Sequence, residues 1–241
     1  MSHETIIMRS EPEPVASYRH SLFFLGIAVA IVIAGYAVQH RPTSGGGLVE
    51  GQVRLIPIYI SVAVLDWLLF LFAWYGVHRH GGKLRSLIGG RWSNGSQIFR
   101  DIAIAALAWG VILLASWAID GTLGHGHQKS LNNLLPQTFL EVGVWFLVSV
   151  TGGFCEEFVF RGYVQSQLMA LSRRTWIAIL GQGCIFGLFH SYQGWRSVVT
   201  ITVIGVLFGI LATWRKTLKV GMIIHGWQDF WGGWLVYALF Q

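Results

Sequence analysis

Charged residues are scarce in this sequence. Of its 241 residues, 12% are Asp, Glu, Lys or Arg and 54% are hydrophobic, whereas a soluble domain carries roughly 25% charged residues. A chain with so few charged residues cannot form the polar surface that a globular protein exposes to water. The composition excludes an ordinary soluble domain and indicates a membrane protein.

Cysteine and proline are scarce as well, with two Cys and five Pro. A disulfide framework or a Cys-based metal site needs more cysteines, or other spacings, than Cys155 and Cys184 provide. We interpret both as apolar packing residues within predicted spans. No proline interrupts the stretch 138–171, so we expect one long helix there.

The sequence is rich in long apolar runs, separated by short polar breaks that contain many glycines. A hydrocarbon core of ~30 Å is spanned by ~20 helical residues, and apolar runs of about this length recur along the chain. They predict an all-α, polytopic membrane protein with about seven transmembrane helices and additional short helices. The seven runs are 21–38, 55–77, 102–118, 138–171, 176–190, 197–213 and 218–240.

The distribution of Lys and Arg predicts the orientation of these spans. Twelve lie in segments on the N-terminal side of the membrane, four lie on the other side, and Arg161 lies within a span. Because cytoplasmic loops retain positive residues, we expect the N-terminus in the cytoplasm and the C-terminus outside. The net charge of +6 then reflects topology and contact with anionic membrane lipid, and we expect no nucleic-acid partner. The predicted organisation is a cytoplasmic tail at 1–20 and a single membrane domain at 21–241.

Ionisable residues inside the predicted spans are the strongest functional signal. Each of Asp, Lys or Arg costs about 2.5 kcal/mol or more at a helix centre, so such groups usually face a protein interior or cavity and mark function. Three pairs are spaced i to i+4, which puts both members on one helix face: Glu157 with Arg161, Phe186 with His190, and His225 with Asp229.

The remaining ionisable residues divide into two groups. Asp66 and Glu141 stand in no motif, and we expect a structural or pore-lining role for each. Glu156 precedes Glu157 directly, and a count at ~1.5 Å per residue puts it at a membrane depth similar to that of His190. The sequence therefore permits one polar cluster in the membrane.

Such a cluster is suited to hydrolysis. A buried carboxylate can take a proton from water and pass it on, and imidazoles can assist, donate to an oxyanion or hold a metal together with carboxylates. Arg161 would keep Glu157 ionised and oriented, which leaves Glu156 as the active base. No Ser or Cys beside a His favours a covalent nucleophile.

Taken in order, the three motifs resemble the signature of a known family. Glu156-Glu157-x-x-x-Arg161, Phe186-x-x-x-His190 and His225-x-x-x-Asp229 are similar to the motifs of the CAAX protease and bacteriocin-processing (CPBP, or Abi) family of intramembrane proteases. The resemblance covers 138–241. It implies a helical fold with an intramembrane catalytic cavity, and an endopeptidase that cleaves peptides or lipid-embedded protein segments.

The resemblance also implies roles for single residues, with Arg161 and Phe186 in support. Glu156 would activate water with His190, while His225 and the residue at 229 would stabilise the oxyanion. The family commonly has Asn at this last position, and Asp229 donates a hydrogen bond only when it is protonated. The departure favours a metal site, because a carboxylate with two His is a common zinc set. The family has been read both as glutamic and as metalloproteases, and a divalent metal such as zinc with ligands among Glu156, His190, His225 and Asp229 stays an alternative.

Two functions of other classes stay open. A proton-coupled transporter also holds carboxylates and His at mid-depth, and a non-catalytic relative would act as a membrane scaffold or immunity protein. The expected partners of an endopeptidase are a peptide or membrane-protein substrate and the surrounding lipid. Short loops and small size favour a bacterial plasma membrane protein, by analogy with the family.

Overall fold

The chain folds into a bundle of helices. The computed structural model describes residues 13–40, 55–123 and 134–239, and within these ranges it has no β-strand. The helices of the described ranges are α1 (Tyr18–Gln39), α2 (Leu55–Arg79), α3 (Leu84–Ile88), α4 (Gly95–Leu123), α5 (Phe139–Ser172), α6 (Thr175–Phe189), α7 (Trp195–Arg215) and α8 (Lys219–Leu239), with a 3₁₀ turn at Ser191–Gln193. The predicted all-α membrane architecture is confirmed.

Each of the seven apolar runs forms one of these helices, and α3 is an additional short helix. Five of them, α1, α2, α4, α5 and α7, are long and apolar enough to cross a membrane. Helix α6 has 15 residues, which corresponds to ~22 Å at 1.5 Å per residue and is shorter than the hydrocarbon core. Of the predicted tail at 1–20, residues 1–12 lie outside the described ranges.

Helix α5 runs without interruption from one end of the predicted span to the other. It begins with a capping box, in which the Thr138 hydroxyl accepts from Glu141 N and the Glu141 carboxylate accepts from Thr138 N. Its central segment Glu157–Val164 is a π-helix, and all eight of its residues are buried. Single-turn π segments are frequent at functional sites. The continuous helix was predicted, whereas the π segment was not.

Two apolar clusters hold the bundle together. The first joins α1, α2 and α5 through aromatic side chains that include Phe24, Phe70 and Phe158. The second joins α4, α7 and α8 and includes Phe208 and Ile224. The ring of His225 lies 5.8 Å from that of Phe186, which belongs to the first cluster, and 5.5 Å from that of Phe208 in the second, so the polar residues lie where the two clusters meet.

Glycines allow the helices around this seam to approach closely. A Cβ added to Gly205 on α7 would lie 3.0 Å from the Cα of Gly183 on α6, and one added to Gly153 on α5 would lie 2.7 Å from the backbone N of Gly226 on α8. Small residues permit such contacts between membrane helices. The G-x-x-x-G spacings at 183–187 and 205–209 make the first contact recognisable from the sequence.

Segments predicted on the same side of the membrane contact one another. Arg215 at the end of α7 forms an ion pair of 2.7 Å with Asp101 near the start of α4, and Leu218 N donates to Ile88 O. On the opposite side, the Tyr59 hydroxyl donates to Leu134 O at 2.7 Å. The relative sidedness of these segments agrees with the seven-span order, and the absolute orientation stays a prediction.

The two cysteines differ in their surroundings. Cys155 on α5 is buried, as expected for a packing residue, whereas Cys184 on α6 is exposed. The expectation that both pack inside the protein is therefore wrong for Cys184. The apolar run that contains it has an outward face, and the run alone did not reveal which face that is.

Candidate functional site

Glu157 and Arg161 form a fully buried ion pair within the π segment of α5. Arg161 Nη1 lies 2.9 Å from Glu157 Oε1, and neither side chain is exposed. Arg161 Nη2 also donates to Gly205 O on α7 at 3.3 Å. The predicted role of Arg161 in orienting Glu157 agrees with this geometry.

Aromatic rings surround the Arg161 guanidinium group. Its Cζ lies 4.3 Å from the ring centre of Phe186 on α6 and 5.0 Å from that of Phe208 on α7. A desolvated cation over an aromatic face gains about 2 kcal/mol or more. Phe186, predicted as a supporting residue, thus stabilises the cation that holds Glu157.

His225 on α8 contacts three carboxylates. Its Nδ1 lies 3.1 Å from Glu157 Oε1, and its Nε2 lies 3.6 Å from Glu156 Oε2 and 3.5 Å from Asp229 Oδ2. Because Arg161 holds Glu157 as a carboxylate, Nδ1 is the donor to it. Nε2 is then the nitrogen that His225 presents to Glu156 and Asp229.

The two adjacent glutamates have different access. The Glu157 side chain is fully buried, whereas 20% of the Glu156 side chain is exposed. Glu157 contacts Arg161 and His225 through its Oε1. Glu156 is therefore the glutamate available to a water molecule or a substrate.

His190 lies at the C-terminal end of α6, on the wall of a cavity of about 280 Å³ that His225 and Asp229 also line. Its Nδ1 is 2.9 Å from Phe186 O. A carbonyl oxygen only accepts, so Nδ1–H donates and Nε2 is left to act as an acceptor. Other side chains along the cavity wall are Ser116, Asp120, Phe186, Gln193, Thr200 and Gln228.

The structure thus brings the predicted residues together. Glu156, Glu157, Arg161, His225 and Asp229 form one contiguous set of charged contacts, and His190 and Phe186 share the cavity with its last two members. This placement says where the side chains are and leaves their catalytic roles as predictions.

Glu141 and Asp66, the two acids outside the motifs, have different positions. Glu141 completes the capping box of α5 and accepts from Gln137 N and Thr138 N at 2.9 Å, so its role there is structural. Asp66 on α2 is 6% exposed, and its Oδ2 and the Oδ2 of Asp229 both lie within 4 Å of the position that a Cβ on Gly152 would take. It borders the site.

Gln182 on α6 belongs to the polar support of the site, and sequence reasoning missed it. It is fully buried, and its Nε2 donates to Gly205 O at 2.7 Å, the carbonyl that Arg161 also contacts. One turn separates it from Phe186. A single amide within the apolar α6 run was the signal that could have identified it.

The four metal-ligand candidates all lie within the described ranges. Across residues 13–40, 55–123 and 134–239, no three His, Cys, Asp or Glu side chains are grouped as a metal site requires. The pair distances by themselves do not oppose zinc, because two ligands that each lie ~2.0 to 2.2 Å from a tetrahedral metal are about 3.4 Å apart, close to the 3.5 to 3.6 Å between the Nε2 of His225 and its carboxylate neighbours. The divalent metal therefore stays an alternative.

The fold and the site together define a class, a helical membrane protein with acidic and histidine side chains beside a cavity between its helices. Residues 136–231 match the model of a family described as Rce1-like, type II CAAX prenyl endopeptidase Rce1-like. This segment holds all three motifs, and the predicted resemblance to CAAX proteases is confirmed. The match supports an intramembrane endopeptidase of the CAAX protease type.

Comparison with curated proteins and with solved structures found no match.

Proposed function

We propose that this protein is an intramembrane endopeptidase that cleaves peptides or lipid-embedded protein segments with a water molecule activated by Glu156. The observation that carries the proposal is the position of His225, with three carboxylate oxygens within 3.6 Å beside a cavity. Such a set supplies a base, an acid and a hydrogen-bond donor within reach of one another, as hydrolysis of an amide requires.

Glu156 acts as the base because Glu157 is already bound. Its carboxylate takes a proton from water, and the resulting hydroxide attacks the scissile carbonyl carbon. Glu156 then returns the proton to the leaving amine, so the carboxylate is regenerated. His190, whose Nε2 is left to accept, lines the cavity together with His225 and Asp229 and helps to hold the attacking water.

His225 and Asp229 stabilise the oxyanion. When Nε2 of His225 is protonated, it donates to the negative oxygen while Nδ1–H stays bound to Glu157. Asp229 contributes a second donor when its carboxyl group is protonated. A preorganised donor in a site with little water typically contributes about 10²- to 10³-fold to the rate. No step in this scheme passes through a metal.

The test is cleavage by the purified full-length protein. Wild type, Glu156→Gln and Glu141→Gln would be incubated in detergent micelles with prenylated and unprenylated C-terminal peptides and with long apolar peptides, and the products identified by mass spectrometry. The matched control lies on the same helix and keeps its cap, because Gln also serves in a capping box.

We expect cleavage by wild type and by Glu141→Gln. Glu156→Gln should be slower by about 10²-fold or more, in line with the loss of a general base. A folded wild-type protein that cleaves none of these peptides, or an active Glu156→Gln variant, would contradict the proposal. Flux of protons or solutes without products would favour a transporter.

The metal alternative is tested in the same assay. Activity of metal-free protein that a chelator leaves unchanged agrees with the mechanism proposed here. Loss of cleavage on chelation, with recovery on addition of zinc, would replace it by a metalloprotease mechanism.

A further inference from the structure

Asp66 occupies an unusual place on α2. It is 6% exposed, while its neighbours Leu65 and Trp67 are 41% and 43% exposed. The other buried side chains of this helix are Leu55, Tyr59, Leu69, Phe70, Ala73 and Val77. A carboxyl group among them is costly in a membrane and is therefore expected to serve a function.

The side chain of Asp66 points toward Gly152 on α5. A Cβ placed on Gly152 would lie 3.9 Å from Asp66 Oδ2 and 3.7 Å from Asp229 Oδ2. Two carboxylate oxygens from different helices, α2 and α8, therefore border the same small space. Gly152 precedes Glu156 by one helical turn, so this space adjoins the proposed base.

Asp66 Oδ2 needs a polar partner. It is buried and has no hydrogen-bond partner among the residues that the structure describes, and the same holds for Glu156 Oε2. Buried polar atoms without a protein partner are usually bonded to ordered water. A water molecule has two O–H groups and can donate one to each of two carboxylates.

We propose that Asp66 is a positioning residue of the hydrolytic site, bonded through water beside Gly152 to Asp229, which it holds against His225. Asp66 lies outside the segment that matches the protease family, so the match assigns it no role. The inference rests on the proposed function, because what it positions is the oxyanion-binding side of that site.

Gly152 provides a way to test the bridge without disturbing the packing. Both distances from its added Cβ are ordinary van der Waals contacts, so Gly152→Ala fits between the helices. The methyl group occupies the space that the proposed water needs. Gly143→Ala on the same helix is the matched control, because nothing lies within 4 Å of a Cβ there.

The experiment measures kcat, KM and thermal unfolding for wild type, Asp66→Leu, Asp66→Asn, Gly152→Ala and Gly143→Ala, on a peptide that wild type cleaves. Asp66→Leu and Gly152→Ala should lower kcat by about tenfold to a hundredfold, the range that a small misplacement of catalytic groups causes. KM should stay within about twofold, because the groups concerned act in the transition state.

The conservative variant separates positioning from packing. Asp66→Asn keeps a side chain that bonds to water, and its kcat should lie within about threefold of wild type. Asp66→Leu should unfold at the same temperature as wild type or at a higher one, since Leu is compatible with the buried apolar side chains of α2. Lower activity together with unchanged or greater stability is a combination that a purely structural Asp66 would not produce.

Three results would overturn the inference: wild-type kcat in Asp66→Leu, wild-type kcat in Gly152→Ala, or a loss of activity in Asp66→Leu that follows a loss of stability. If Asp66→Leu does not fold, Gly152→Ala still decides. A folded wild type without any cleavage contradicts the proposed function instead, so the two failures are distinguishable.

Discussion

Helices α1 and α5 are both apolar, yet they are placed in opposite environments. The most apolar window of α1 has a mean hydropathy of 2.4 and is 11% buried, whereas that of α5 has a mean hydropathy of 1.4 and is 44% buried. In a soluble protein the more apolar residues are the more often buried. Here the more apolar helix is the less buried one, because lipid surrounds the protein and apolar side chains are as stable in lipid as in the protein interior.

The same comparison explains where the site lies. On α1, Leu22 and Phe23 are 67% and 73% exposed, and only Phe24 and Ala28 are buried. On α5, the segment Glu157–Val164 is buried throughout and includes an ion pair. Polar groups in a membrane protein usually face the protein interior. Of the five long apolar helices, α5 has the lowest mean hydropathy, and it holds the buried ion pair.

The largest difference between the two helices should come from the ion pair of α5. Arg161→Met leaves the Glu157 carboxylate without its cation and should lower the free energy of unfolding by about 3 to 5 kcal/mol. The double variant Glu157→Gln/Arg161→Met removes both charges and should recover much of that loss. Thermal unfolding in detergent measures both, with Phe23→Met on α1 as the control.

If Arg161→Met lowers the free energy of unfolding by less than about 1 kcal/mol, Glu157 and Arg161 do not stabilise each other as their 2.9 Å contact indicates.

Aromatic truncation sharpens the comparison. Phe158 on α5 is fully buried, whereas Phe23 on α1 is 73% exposed. Phe158→Ala creates a cavity and should cost about 3 kcal/mol, while lipid can fill the space left by Phe23→Ala, so that variant should cost much less. Equal losses in unfolding measurements would mean that the face of α1 that carries Phe23 also packs against protein.

Glycine substitutions should show a smaller difference of the same kind. Gly153→Ala on α5 places a methyl group 2.7 Å from Gly226 N and should destabilise the protein by about 1 to 3 kcal/mol. Gly26→Ala on α1 meets nothing within 4 Å and should be neutral or stabilise by up to about 1 kcal/mol, because Ala favours the helix. Unfolding of the two variants side by side tests whether α5 and α8 meet as closely as described.

The smallest effect is expected for Asp229→Asn on the cavity wall. An amide donates a hydrogen bond without being protonated, so cleavage should stay within about threefold of wild type, a change well under 1.4 kcal/mol in barrier height. Asp229→Leu should lose far more activity. If Asp229→Asn loses most of its cleavage activity, the reaction needs a carboxyl group at this position, and that result would favour the metal alternative.

The i to i+4 spacings made much of the site predictable. Glu157 with Arg161, and His225 with Asp229, are spaced so that both members lie on one face of an α-helix, so local geometry brings each pair together. The contact between α5 and α8 was less predictable. Counting residues along the spans indicated that the polar side chains lie at a similar membrane depth, but it did not indicate which faces of these helices contact each other. Gly153 and Gly226, where these two helices come close together, are not part of a G-x-x-x-G spacing that would have marked them in the sequence.

Composition and hydropathy by themselves determined the membrane class, the helical runs and the intramembrane residues worth attention, because the cost of charges in lipid acts on every residue independently. Only the tertiary structure decided that Glu157 is fully buried while Glu156 stays partly exposed, that His225 is shared among three carboxylates, and that Asp66 reaches the site from another helix. These are contacts between segments far apart in the chain, and their distances depend on how helices cross rather than on any local pattern.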